Sequence, residues 1–188
     1  VGLEEPIAEP SDTLGLPPEQ PTLPSLLKRA GYRTALLGKW HLGTLPNFGP
    51  LKSGYDEFFG NYGGGVDYFT HRSDVSPDAP EDLYEGSVPV HRAGYYTRLL
   101  GDRAVDYIRH ATPNQPFFLS LHFTAPHWPW EGPRDEAVSR SLTDIMHHDG
   151  GSPDDYASMV TELDTQVGRV LDALAQAGLA RDTIVVFT

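Results

Sequence analysis

Two uninterrupted apolar runs constrain this chain more than any other feature. Thr34-Ala35-Leu36-Leu37 and Phe117-Phe118-Leu119-Ser120-Leu121-His122-Phe123 are too short to be buried helices, and they lack the strict alternation of a strand with one wet face. Runs of this kind belong to strands covered on both faces, the condition of a parallel sheet held between helices. The segments around them carry helical spacing. Thr22 is placed to cap a short helix with Pro24 in its first turn and Leu23, Leu26, Leu27 and Ala30 as its apolar stripe, and Gly31 ends it. A second helix is predicted from about Gly94 to Ala111, with Leu99, Leu100, Ala104, Tyr107 and Ile108 facing inward. Ser152-Pro153-Asp154-Asp155 starts a third: a cap, a first-position proline and acids at the positive end of the dipole. Its stripe of Tyr156, Met159, Val160, Leu163, Val167, Val170, Leu171 and Leu174 runs down to Gly178, and Thr183 to Phe187 reads as the next strand. Helices alternating with strands across short joints predict an α/β fold with a mostly parallel sheet flanked by helices.

The remaining segments read as connections. Residues 1–21 are proline-rich, acidic and aperiodic, an irregular lead-in to the α/β segment of residues 22–188. Thr44 to Gly65 is a loop region rich in glycine and aromatics, and Ser73 to Pro89 reads as an exposed excursion. Thr124 to Pro133 is a loop of prolines and tryptophans, while Arg134 to Gly151 fits either a short helix or a histidine-bearing loop. At 188 residues the chain suits one domain. Its first residue, Val1, and its last, Thr188, set within an apolar run, read as the limits of an internal piece of a longer protein.

Charge narrows the partners. The formal net charge is −12, with 26 acidic against 14 basic residues, which argues against a nucleic-acid or anionic membrane surface. No apolar run reaches the length of a membrane span. Without cysteine there is no disulfide and no thiolate ligand. Against this acidic background Lys39 and His41 stand out, two residues apart just beyond the Thr34–Leu37 run and Gly38. The carboxyl end of a buried strand is where open α/β sheets bind ligands, and a fixed cation beside an imidazole suits an anion. By spacing alone they are equally a strand end meeting solvent.

Gly31-Tyr32-Arg33-Thr34-Ala35-Leu36-Leu37-Gly38-Lys39-Trp40-His41 resembles the second signature of the sulfatases, G-Y-x-T-x-x-x-G-K-W-H. Gly54-Tyr55-Asp56-Glu57-Phe58-Phe59-Gly60, Pro116-Phe117-Phe118-Leu119 and Ala125-Pro126-His127-Trp128-Pro129 extend the resemblance, which is strongest to arylsulfatase-like members. It implies an alkaline-phosphatase-like sulfatase domain, incomplete here, that hydrolyses sulfate esters through a formylglycine nucleophile and a divalent metal, expected to be Ca2+. By resemblance Lys39 holds the sulfate group, His41 assists the formylglycine hydrate, and His127 serves the leaving-group side. Asp67 and His71 resemble residues at the substrate rim, and Trp128 and Trp130 are candidates for the pocket mouth or for core cover. A sulfated small molecule or glycan is the implied substrate, and export to the periplasm or beyond is implied with it.

The resemblance also marks what is missing. The nucleophile motif Cys/Ser-x-Pro-x-Arg occurs nowhere, and Ser87-Val88-Pro89-Val90-His91-Arg92 has one residue too many before its arginine. No metal ligand is assigned to this chain. His122 is expected as a satisfied core histidine, and His147 and His148 as solvated surface. The chain alone is therefore expected to be inactive. Two alternatives remain open: a related phosphatase or phosphonate-ester hydrolase, or a non-catalytic protein that binds sulfated sugar or another anion.

Overall fold

The computed structural model describes residues 7, 11–73, 79–112, 114–141 and 151–188. Its elements are α1 (Leu23–Arg29), β1 (Arg33–Gly38), a 3-10 turn (Pro50–Lys52), β2 (Glu57–Gly60), β3 (Tyr84–Glu85), β4 (Val88–Pro89), α2 (Tyr96–Arg109), β5 (Phe117–His122), α3 (Glu136–Ser139) and α4 (Pro153–Gln176). Five strands form one sheet in the order β4-β3-β2-β1-β5. β1 is its hub. It pairs in parallel with β2, Leu36 opposite Phe58, and with β5, Leu36 opposite Ser120.

The sheet is α/β but mixed. β3 pairs antiparallel with β2 and with β4, so one edge is a short hairpin where an exposed excursion was predicted. Period-two alternation sorts the β1 and β2 side chains onto two faces. Leu37 and Phe59 join Leu100, Ala104, Tyr95 and Tyr96 beneath α2. Leu36 and Phe58 face the other way, packing with Trp40, Tyr55 and Tyr62. Both faces of β1 are thus covered, as its continuous apolar run required.

The third core cluster joins α2 to α4 through Val105, Ile108, Ala173 and Leu174. The helices touch so closely at Gly101 that a Cβ there would lie 2.1 Å from Gln166 Oε1. Beside that point Arg98 Nε and Nη2 donate to the Glu162 carboxylate, both at 2.9 Å. Reciprocal capping boxes start α1, between Thr22 and Ser25, and α4, between Ser152 and Asp155.

Four expectations are corrected. The α1 stripe is not a buried one: Leu23 and Leu26 are exposed, and Pro24 is the one buried residue of that helix. α1 docks through polar ends instead, Thr22 Oγ1 donating to Ser53 O at 2.5 Å and Lys28 pairing with Asp56 at 2.6 Å. The α4 stripe is rotated: Tyr156, Val160 and Leu171 are exposed while Glu162 and Gln166 are buried, because the α2 contact presents Arg98. β5, expected deep in the sheet, is half-buried, since among the described residues only β1 pairs with it. Residues 183–187 form no strand, having no ladder partner among the described residues, and Ile184 is 91% exposed.

Candidate active site

The site residues are organised by the convergence of three parallel strand ends. At Gly38 a Cβ would stand 1.9 Å from the carbonyl oxygen of His122, and Gly38 also has φ 115°, so only glycine fits between β1 and β5. Beyond it the chains stay tied: Lys39 N donates to His122 O at 3.1 Å, Trp40 N to Asn61 O at 3.0 Å, and His41 N to Tyr62 O at 3.0 Å. Lys39 and His41 therefore leave the sheet at its carboxyl edge, where the sequence places them. His122, expected in the core, is exposed, with Nδ1 3.0 Å from Lys39 O.

His41 is held in an unusual backbone state, φ 56°, a left-handed conformation that L-residues seldom adopt. Its imidazole lies against Gly64, where a Cβ would come within 2.8 Å of Cε1 and 3.1 Å of Nε2. The Gly64 loop is in turn fixed by Asp82, whose carboxylate accepts from Tyr62 N at 3.1 Å and Gly63 N at 2.7 Å. Buried Tyr96 adds a hydroxyl donated to Asn61 Oδ1 at 2.8 Å, and Asn61 Nδ2 donates to Gly63 O at 2.9 Å. Gly63-Gly64-Gly65 thus forms a clamped floor for His41.

His127 lies five residues past β5 in a loop with cis bonds before Pro126 and Pro129. Its N–H donates to Thr124 O at 2.9 Å, and its carbonyl accepts from Tyr68 Oη at 2.9 Å. Nδ1 is 2.7 Å from Trp128 O. A carbonyl can only accept, so Nδ1 carries a hydrogen and Nε2 is the ring nitrogen available for proton exchange. The π-faces of His127 and Trp128 lie near each other, centroids 5.4 Å apart.

Asp67 and His71 occupy a tight turn, Asp67 N donating to Arg72 O and His71 N to Asp67 O, both at 3.0 Å. The structure places both side chains inside: Asp67 is 4% exposed and His71 0%. Asp67 Oδ1 accepts from Phe69 N at 2.9 Å and Thr70 N at 2.6 Å, and Ser139 Oγ donates across to the same carboxylate. His71 has φ 54°, with Nε2 3.1 Å from Gly94 O and Nδ1 3.5 Å from Glu81. Burial lowers the pKa of His71, and the Glu81 carboxylate partly offsets this. Tyr96 N donates to Tyr68 O, so α2 begins on this same turn.

One residue that sequence reasoning missed is Glu131, 3% exposed between Trp130 and Gly132. A lone acid in an otherwise apolar proline-tryptophan loop was the available signal. Burial first, then the neighbouring Asp67 carboxylate, pushes it up to about 9. His147 and His148 lie outside the described residues. A cavity of about 160 Å3 runs along the α2 side of β1 and β2, lined by Arg33, Leu37, Glu57, Phe59, Arg103 and Tyr107. Among the described residues no group of three or more His, Asp or Glu is placed to hold a metal ion. Nor is any helix among them long and apolar enough to cross a membrane.

Comparison with known proteins identifies the family. The family model described as Sulfatase matches residues 5–188. Mouse arylsulfatase J is 33% identical over 193 residues, covering 100% of this chain and 31% of that protein. Mouse N-acetylgalactosamine-6-sulfatase is also 33% identical, covering 93% of this chain and 33% of its own length. The chain thus spans about a third of the length of these curated relatives. Among solved structures, Ps i-CgsB superposes with a TM-score of 0.73 at 28% identity, over 92% of this chain and 40% of that one. Ps i-CgsB in complex with k-i-k-neocarrahexaose superposes with a TM-score of 0.71. With its signature run at the carboxyl edge of an alkaline-phosphatase-like α/β sheet, this chain belongs to the sulfatase family.

Proposed function

We propose that this chain is a central part of the catalytic domain of a sulfuric ester hydrolase, and that Lys39, His41 and His127 are its contribution to the reaction. The observation that carries the reading is the convergence of Gly38, Gly60 and His122, which sets Lys39 and His41 at one strand edge. Lys39 is a compact charge suited to the oxygens of a tetrahedral anion that changes shape during reaction. His41, fixed by its backbone and by Gly64, has an orientation that does not have to be found at each turnover. His127, with hydrogen on Nδ1, exchanges the leaving-group proton through Nε2. Asp67 and His71, expected at the rim, act on substrate through the turn they hold, given their burial.

A formylglycine nucleophile and Ca2+ belong to the same family reading. The residues here do not fit either group: the Cys/Ser-x-Pro-x-Arg motif is absent from the sequence, and no metal cluster exists among the described residues. No step is assigned through them, and the 188-residue chain by itself is proposed to be inactive. The substrate is a sulfated small molecule or glycan. Relatives with N-acetylgalactosamine-6-sulfatase and arylsulfatase names support that class, and export to the periplasm or beyond is proposed from the family resemblance alone.

The test is kinetic, in the full-length enzyme, with an aryl sulfate, a sulfated oligosaccharide and an aryl phosphate. Lys39→Ala, His41→Ala and His127→Ala should each lower kcat by about 100-fold or more. His110→Ala, at the exposed end of α2, should leave turnover unchanged. Preferred hydrolysis of the phosphate, or equal damage from His110→Ala and His127→Ala, overturns the reading.

A further inference from the structure

Two buried carboxyl groups meet beneath the loop that carries His127. Asp67 already takes three donors, its oxygens accepting from Phe69 N, Thr70 N and Ser139 Oγ at 2.6 to 3.0 Å, with only Ser139, among the described residues, on Oδ2. Glu131 reaches the same place from the other loop: its Oε2 lies beside the N–H of Tyr68, the residue that follows Asp67, and the Asp67 carboxylate is among the groups that raise its pKa. Glu131 Oε2 faces Tyr68 N at 3.4 Å, while Oε1 is buried without a conventional donor among the described residues. Among the described residues the groups facing Glu131 are Asp67 and Tyr68 of the turn, Tyr95 at the start of α2, and Asp135 ahead of α3. None of these is a cation. Two adjacent buried carboxylates cannot both be ionised without a large penalty, whereas a proton on one makes them donor and acceptor.

We propose that Glu131 and Asp67 share one proton, and that this acid–carboxylate pair clamps the His127 loop onto the turn from Asp67 to His71. Glu131 is on this account a positioning residue, and His127 is the group it positions. Two backbone ties bracket the clamp: Tyr68 Oη donates to His127 O at 2.9 Å and Tyr95 Oη to Glu131 O at 2.7 Å. They fix where the loop enters and leaves the contact. The carboxyl pair fixes its depth. The proposal rests on the sulfatase reading only in giving His127 a catalytic task.

The proton has a thermodynamic signature. The folded protein keeps it far above the pH at which an unfolded glutamate, ordinarily at 4.5, releases it. Its stabilisation is therefore full below that value and declines as pH rises toward about 9. Glu131→Gln supplies a permanent N–H donor to Asp67 and has no proton to lose.

The full-length enzyme is melted as parent and as Glu131→Gln from about pH 5 to about pH 9. The Tm of the variant minus that of the parent should grow steadily with pH, reaching several degrees, and a difference that stays flat overturns the shared proton. Hydrogen exchange of residues 124–131 reads the clamp itself. Glu131→Ala should exchange there about tenfold faster or more, with Glu131→Gln at the parental rate. Equal protection in all three proteins overturns the clamp. Should Glu131→Ala fail to fold, the melting series with Glu131→Gln still decides. Full turnover by His127→Ala would unseat the catalytic reading alone, because neither melting nor exchange depends on it.

Discussion

A Cβ placed on Gly60 would stand 2.0 Å from the carbonyl oxygen of Gly38. Gly38 in turn meets the His122 carbonyl, so the ends of β2, β1 and β5 are stacked backbone on backbone with no room for a side chain. The contacts are with main-chain atoms, which cannot rotate away. Gly60→Ala and Gly38→Ala should each destabilise the full-length enzyme by about 3 kcal/mol or more. Soluble yield and the denaturant midpoint measure this, and a parental midpoint in either variant would contradict the stacking.

Gly64 is a gentler case because its neighbour is a side chain. An alanine there would press on Cε1 and Nε2 of His41, which is already held at φ 56°. Gly64→Ala should fold with a midpoint close to the parent but lower kcat by about tenfold or more through a displaced imidazole. Steady-state kinetics beside a denaturation curve separate the two effects. Unaltered kcat would mean that the position of His41 is immaterial to turnover.

The α2–α4 contact has an acid-sensitive part. Arg98 first, then Gln166, holds Glu162 below its ordinary value of 4.5, against the effect of burial. A depressed carboxylate stabilises above the unfolded value and loses that contribution as pH falls through the folded one. Arg98 is half exposed, which limits the gain. Glu162→Gln should cost about 1–2 kcal/mol at neutral pH, and the cost should shrink progressively as pH falls below the ordinary value of 4.5. Melting curves on either side of that value test the sign, which reverses if desolvation dominates.

Surface apolarity predicts how the 188-residue chain behaves when purified alone. Ile184, Val185, Val186 and Phe187 are 91%, 57%, 78% and 76% exposed, and among the described residues the outer edge of β5 has no strand beside it. An extended apolar segment and an open sheet edge both template association. The isolated chain should form concentration-dependent oligomers in sedimentation velocity despite its charge of −12. Ile184→Asp with Val186→Asp should reduce them. A monodisperse parent at high concentration would show that the edge and the segment are protected.

What the sequence determined by itself was the part encoded between near neighbours along the chain. The caps at Thr22 and Ser152, the start of α4 at Pro153, the extent of α2 and the apolar run of β1 all follow from residues within one or two turns. The placement of Lys39 and His41 beyond a strand end followed too, since a strand of known direction carries its next residues to one edge of the sheet. The tertiary structure decided everything that needed a distant partner. The β3–β4 hairpin, the exposed face of α1, the half-buried β5 and the rotated α4 depend on which element lies alongside, and local periodicity does not contain that information. Glu131 and Asp67 are 64 positions apart, and each alone reads as an ordinary acid. Only folding brings them into the same buried space, where the cost of two charges turns them into one shared proton.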